Sequence, residues 1–492
     1  MRRAGVLLHP TALPGPWGMG DLGPVARAWV DQLAAAQTGI WQVLPIQPMS
    51  EAGEPGCPYL SPSAFALEET LTSVDDLVRD GLLRHSETPP FADSPGGVDF
   101  RRVAAHRGPL VRLAASRVGT DSAVVAWRAA NPWVESWAVF RACARRLGSD
   151  WRRWPARAGD SAHRDEVSTE VAAQFLVARQ WEQLRTYARS RGVAIWGDLP
   201  IFVDLASCDV WERPRLFRLD ADRQPVVVSG VPPDLFTPLG QRWGHPLYDN
   251  LAHRETGYAW WVGRTATALG RFDAVRIDHF RGFAACWEVP SRDPDARNGS
   301  WQPGLGAPLL EAFVQAFGRP LPLFAEDLGV ITPDVEALRD EFGLPGMAVV
   351  QFGLDGDLGN LHHPANHREN QVVYAATHDC DTTAGWVAAL DPAAADNVAR
   401  LLQTDRHALA GAIVEATVRS RADTAVVLAQ DLLGLGSEAR INRPGTTEGN
   451  WSFRLRALPS DAAWERWSDL VRRSSRAAGS SPPVLRSEPG RP

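Results

Sequence analysis

No lysine occurs in the 492-residue sequence, so all 51 basic residues are arginine. That absence removes Schiff-base chemistry, pyridoxal phosphate attachment and a phosphate-binding Walker lysine. Cysteine is scarce: Cys57, Cys143, Cys208, Cys286 and Cys380 are scattered and form no C-x-x-C pair. This argues against a disulfide framework or a zinc ribbon and suits a reducing compartment. Long apolar runs are missing as well. The run after Met1-Arg2-Arg3 breaks at His9-Pro10, too short for a signal core or a membrane span, so a soluble cytoplasmic protein is expected. Positive charge is in deficit, with 58 acidic residues and a net charge of −7. A chain so charged carries no footprint for nucleic acid or an anionic membrane, and a neutral partner fits better.

What is present is an ordinary globular composition, 45% apolar and 22% charged. Eight short apolar runs recur, most of them closing on a polar or acidic residue: 4–8 before His9, 40–46 before Gln47, 193–196 before Asp198, 274–277 before Asp278, 322–325 before Glu326, 347–352, 372–376 before His378-Asp379, and 425–429 before Gln430-Asp431. Helical spacings of three and four lie between them, as in Val25, Ala28, Trp29, Leu33, Ala36 and in Val171, Phe175, Ala178, Trp181, Leu184. Pro24 and Pro333 stand where helices could start, and Thr332 reads as a cap. Buried strands alternating with helices predict an α/β fold, a (β/α)8 TIM barrel, with chemistry at the C-terminal strand ends. Residues 1–473 are expected to form one domain without a separate C-terminal β-domain. The interval 47–192, with helical patterns around 122–147, is too long for a crossover and predicts an insertion subdomain over the barrel mouth. A second insertion in the strand 3–4 region, about 208–248, is rich in Pro, Gly and aromatics and predicts a long active-site loop. The Ser, Pro, Gly and Arg tail, 474–492, is expected to be disordered.

Three acidic strand ends stand out: Asp278, Glu326 and Asp379. On a barrel rim they would converge on one pocket. A retaining glycosidase-type reaction needs one carboxylate as nucleophile and one carboxylic acid as proton donor, roughly 5 Å apart. A third carboxylate can stabilise positive charge developing on the sugar ring. Arg276 beside Asp278 would keep that carboxylate ionised, while a less solvated Glu326 could keep its proton. Twenty tryptophans are many for this length. Most are expected to be packing, but Trp243 in the long loop offers a flat face to a sugar ring. The Gly18-x-Gly20-x-x-Gly23 run lies past its strand and lacks the acidic partner of a dinucleotide site. His362, His363 and His367 are interrupted by Pro364, and no metal site is expected there.

Longer motifs carry a resemblance. They are Leu8-His9-Pro10-Thr11, Gly20-Asp21-Leu22-Gly23, Trp41-Gln42-Val43-Leu44-Pro45, Pro58-Tyr59 with Ser63-Ala64-Phe65-Ala66, and Gly197-Asp198-Leu199-Pro200. Further along come Gly230-Val231-Pro232-Pro233-Asp234, Arg242-Trp243-Gly244, Arg276-Ile277-Asp278-His279-Phe280-Arg281-Gly282, Ala325-Glu326-Asp327-Leu328-Gly329, Thr377-His378-Asp379, and Asn442-Arg443-Pro444-Gly445 through Gly449-Asn450-Trp451. In this order the chain resembles the amylomaltases, or disproportionating 4-α-glucanotransferases, of glycoside hydrolase family 77. The resemblance implies Asp278 as nucleophile, Glu326 as general acid/base and Asp379 as transition-state stabiliser. It implies Arg276, His378, Asp198, Trp243, Tyr59 and Asp234 as substrate-binding residues, α-1,4-glucans as partners and no cofactor. It also implies the shorter type of chain that starts directly with the barrel. The sequence departs from the family's usual residues at Cys57, Leu60, His245, Ala365 and Cys380. An α-glucan hydrolase of the same clan and a catalytically silent glucan-binding protein are the alternatives.

Overall fold

The computed structural model describes the whole chain except residues 1, 51–53, 93–95, 120, 162, 234–236 and 480–492, with only the backbone of 160 and 161. Eight parallel strands form its centre: β1 Arg3–Leu7, β2 Ile40–Gln42, β3 Ala194–Leu199, β4 Ala274–Ile277, β5 Leu323–Ala325, β6 Gly346–Val349, β7 Gln371–Tyr374 and β8 Thr424–Leu428. Each falls on one of the eight apolar runs, and every residue in them is buried. Buried on both faces, such strands have no reason to alternate and read as continuous apolar stretches. The ladder runs β6-β7-β8-β1-β2-β3-β4-β5, and the Ala325 N–H donating to Pro345 O at 2.8 Å joins its two ends into a (β/α)8 barrel.

Helices wrap the ring. Pro24–Ala35 starts with its proline in the first turn and buries Trp29, Val30 and Leu33. Arg164–Ser190 leads from β2 to β3, Ala259–Arg271 from β3 to β4, Gly306–Phe317 from β4 to β5 and Pro333–Glu341 from β5 to β6. Thr332 occupies the N-cap of the last but makes no side-chain cap bond; its hydroxyl accepts from Arg281 instead. Between β6 and β7 the described residues hold only the short turns Val350–Gly353 and Pro364–Asn366.

Within 47–192 four more helices, Phe100–Val118, Ser122–Ala130, Trp133–Leu147 and the short Val74–Arg79, pack with the first half of Arg164–Ser190 around a second apolar core that includes Val74, Val111, Ala114, Val134, Ala138 and Leu176. Buried Glu170 ties this core to Arg145 at 2.9 Å and Arg112 at 3.3 Å. The first of these helices carries Pro109 in its interior, which obscured its pattern. The stretch 208–248 is not the irregular loop expected from its composition. It contains the helix Cys208–Glu212 and two strands, Val227–Val231 and Gln241–Pro246. These join Ala285–Pro290 and Ser300–Pro303, which follow β4, in a four-stranded antiparallel sheet. The partners come from a segment the sequence did not mark, so the pairing was invisible locally.

The start of the tail is packed against the barrel, not disordered as its composition suggested. Arg476 is fully buried and donates to Val418 O, Arg3 O, Asp423 O, Ser420 O and Ala422 O, while Ala478 N–H donates to Gln37 O. Residues 474–478 thus close the N-terminal end of the barrel; the expectation of disorder for 480–492 lies outside the described residues.

Candidate active site

The charged candidate groups sit at or near the C-terminal ends of barrel strands. Asp198 is the penultimate residue of β3, Arg276 is in β4 with Asp278 one residue beyond its end, Glu326 comes directly after β5, and His378 and Asp379 follow β7. The register pairs Asp198 with Arg276, so the two side chains leave the sheet side by side. On the opposite face of β3, Gly197 leaves room for the Phe272 ring: a Cβ there would lie 2.3 Å from it.

Arg276 is the hub. Its Nη1 donates to Asp198 Oδ2 at 2.7 Å and to Asp278 Oδ1 at 2.8 Å, and its Nη2 stands 4.0 Å from Glu326 Oε2. Burial works against the Arg276 charge, but Asp198 and Asp278 hold it, and the guanidinium stays protonated far above neutrality. Burial pushes the Asp198 carboxyl up, with Arg276 opposing. Its Oδ2 also accepts from Tyr59 OH at 2.8 Å, while its Oδ1 is buried without a partner among the described residues. Asp278 is more open, with 27% of its side chain exposed.

Glu326 is 11% exposed and held by two main-chain donors: His279 N–H to Oε2 at 2.7 Å and Leu328 N–H to Oε1 at 2.9 Å. Burial dominates its titration and lifts it to about 7, Arg276 pulling down and Asp278 pushing up. A carboxyl placed so can give and take a proton near neutral pH. The His279 donor points at Glu326 because His279 adopts a left-handed backbone, φ +49°, a conformation costly for any residue but glycine. The His279 ring meets Trp243 edge to face at 4.7 Å, and burial lowers it to about 4, so it is neutral.

Asp379 is held by two neighbours. Asn442 Nδ2 donates to its Oδ1 at 2.6 Å, and His378 Nε2 is 3.5 Å from its Oδ2. Tyr59 stacks on His378 at 5.3 Å and leans on Trp451 at 5.8 Å. The 54–63 stretch that carries Tyr59 is pinned across the mouth by Asn450 Nδ2 donating to Glu54 Oε1 at 2.5 Å. Cys57 and Cys380 are beside Asp379; burial raises both thiols, Cys57 to about 12, so they stay protonated. His245 is stacked on Phe202 and bonded to Ser229 Oγ at 3.0 Å. His367, in contrast, is buried against Ser420, ahead of β8.

The structure therefore brings Asp278, Glu326, Asp379, Arg276, His378, Asp198 and Tyr59 together, with Trp243 reaching the cluster through His279; Asp234 lies outside the described residues. Asn442 and Trp451 lie within the sequence motifs without a residue-type signal of their roles, and the Leu328 and His279 amides leave no side-chain signal. Seven of the tryptophans, Trp29, Trp41, Trp137, Trp151, Trp181, Trp196 and Trp261, are fully buried packing. No group of three or more His, Cys, Asp or Glu among the described residues is arranged to hold a metal ion.

Comparison with known proteins agrees with this geometry. The glycoside hydrolase family 77 pattern, described as 4-alpha-glucanotransferase, matches residues 8–459. The chloroplastic/amyloplastic 4-alpha-glucanotransferase of Solanum tuberosum is 41% identical over 96% of this chain and 86% of its own length. The 4-alpha-glucanotransferase of Thermus thermophilus is 40% identical over 95% of this chain and 97% of its own. The structure of an amylomaltase from Streptococcus agalactiae in complex with acarbose superposes with a TM-score of 0.92 at 30% identity, covering 97% of this chain and all of that one. With its barrel, its strand-end cluster and nearly its whole length matched, the chain belongs to the 4-alpha-glucanotransferase family, glycoside hydrolase family 77.

Proposed function

We propose that this chain is a 4-α-glucanotransferase that moves α-1,4-glucan segments from a donor maltooligosaccharide to an acceptor glucan or glucose by retaining double displacement. Asp278 attacks C1 of a glucosyl unit while Glu326 protonates the departing 4-oxygen, so the C1–O4 bond breaks as the Asp278 ester forms. Glu326, now a carboxylate, takes the proton of an acceptor hydroxyl, which attacks C1 and releases Asp278. Asp379, steadied by Asn442 and His378, faces the ring as positive charge develops. Arg276 orients Asp278 through its 2.8 Å hydrogen bond. Tyr59, His378, Asp198, Trp243 and Asp234 bind the glucan. The observation that carries this reading is the unequal pair around one guanidinium: Asp278 ion-paired with Arg276, and buried Glu326 lifted to about 7.

Transfer rather than hydrolysis requires that water be kept from the ester intermediate. The stretch 47–192 supplies a lid through 54–63, and the Trp243 strand supplies another wall. The five cysteines, all free, support a cytoplasmic location, and a net charge of −7 supports a neutral glucan over nucleic acid or membrane.

Incubation of the purified chain with maltotriose, with products resolved by length, tests the reading. A ladder of longer maltooligosaccharides with glucose, abolished in Asp278→Asn, is the expected result. Glucose and maltose alone would make it a hydrolase; unchanged maltotriose bound equally by wild type and Asp278→Asn would make it a silent binder.

A further inference from the structure

Behind the Tyr59–His378 stack, the ends of β1 and β8 enclose a cavity of about 20 Å³ whose walls include His9, Gln430, Trp451, Ile441 and Pro58. Three of these residues each carry a buried polar atom without a hydrogen-bond partner among the described residues: His9 Nδ1, Gln430 Oε1 and Trp451 Nε1. Their chemistry is complementary. An indole N–H can only donate and an amide oxygen can only accept. The Gln430 amide cannot be turned around, because its Nε2 donates to Ala439 O at 3.2 Å. Burial holds His9 neutral, at about 3, so one ring nitrogen is free to accept.

We propose that this cavity holds one internal water, which accepts from Trp451 Nε1 and donates to Gln430 Oε1 and His9 Nδ1. Three bonds are the usual number for a buried water, and about 10–15 Å³ of such space is enough for one molecule. The space is too small for any sugar carbon. The water makes Trp451 a positioning residue. Trp451 has a left-handed backbone, φ +63°, where a bulky residue is strained, and its N–H donates to Ile441 O at 2.6 Å. Its ring backs both Tyr59, at 5.8 Å, and His378, at 6.0 Å. Fixing the indole at its Nε1 end keeps the two rings that flank Asp379 in register.

A crystal structure of the full chain at about 1.5 Å resolution tests the site directly. The expected result is one ordered peak within hydrogen-bond distance of all three atoms; a dry cavity, or a peak touching fewer than two of them, overturns the proposal. Trp451→Phe and Gln430→Met then remove the donor and an acceptor separately. Each is expected to lower the melting temperature, and the double variant is expected to melt no lower than the worse single one, because both lose the same water. Additive losses would mean independent packing roles and overturn the bridge. Resting on the transferase reading, each variant is also expected to raise KM for maltotriose about fivefold with kcat within about twofold; an equal loss in kcat would overturn the positioning role. The density and melting experiments stand even if the transferase reading fails.

Discussion

Replacing Arg276 by methionine keeps much of the side chain's length and removes its charge. The Arg276 side chain is 6% exposed, and its guanidinium compensates Asp198, whose side chain is 1% exposed, and Asp278. Taking one partner from a buried ion pair costs about 3–5 kcal/mol, because the remaining charge is left without compensation. The same change acts on Glu326. A unit charge 4.0 Å away contributes about 4 kcal/mol at an effective dielectric of 20. Solvent and neighbouring dipoles would recover part of this, leaving a rise of about one to two pH units in Glu326 titration. Since Arg276 pulls the Glu326 value down in the native protein, the alkaline limb of kcat/KM, set near 7 by Glu326, moves upward in Arg276→Met. The maximal kcat/KM falls at least about a hundredfold, as Asp278 loses the group that orients it. Initial rates of glucose release from maltotriose between pH 5 and pH 9, beside urea unfolding, measure both effects. An alkaline limb that stays in place, with a stability loss under about 1 kcal/mol, would refute the hub role of Arg276.

Glu326→Gln should change how the stability of the fold depends on pH. The folded carboxyl, at about 7 rather than the ordinary 4.5, binds its proton more tightly than the unfolded chain does, so its contribution to stability declines from pH 4.5 to 7 and stays low above. Glutamine leaves one of the two main-chain N–H groups without an acceptor at every pH, so the test is the change with pH: relative to wild type the variant is expected to gain about 2–3 kcal/mol between pH 4 and pH 8 by urea unfolding; a difference that stays constant would contradict the burial argument. Asn442→Leu removes the 2.6 Å donor to Asp379. It is expected to lower kcat about tenfold to a hundredfold while KM changes little, which steady-state kinetics on maltotriose would read. Trp243→Ala opens the wall over His279 and is expected to raise KM about tenfold and to increase the share of free glucose among the products; an unchanged ratio of transfer to hydrolysis would remove Trp243 from the wall.

The barrel was legible because a strand buried on both faces must be apolar throughout, and eight such runs ending in polar residues have few other solutions. Asp278, Glu326 and Asp379 were legible for the same reason: a carboxylate at the end of an apolar run is conspicuous. The antiparallel sheet was not, since Val227–Val231 pairs with Gln241–Pro246 and with Ala285–Pro290 from beyond β4, and Gly and Pro in these segments blur the period of two. Neither did the sequence reveal that His279 turns left-handed to aim its amide at Glu326, because main-chain donors leave no mark in residue type. Arg476 looked like part of a polar tail; only the five carbonyls at the closed end of the barrel explain its burial.

The most direct measurement is the identity of the residue that holds the covalent intermediate. A maltosyl fluoride lacking the terminal 4-hydroxyl cannot serve as its own acceptor, so with no other acceptor added the glycosyl ester accumulates, more so in Glu326→Gln, where deglycosylation loses its base. Rapid acid quenching and peptide mapping by mass spectrometry are expected to find the added deoxymaltosyl mass on Asp278. An adduct on Asp379, or none while the fluoride is consumed, would contradict the double displacement.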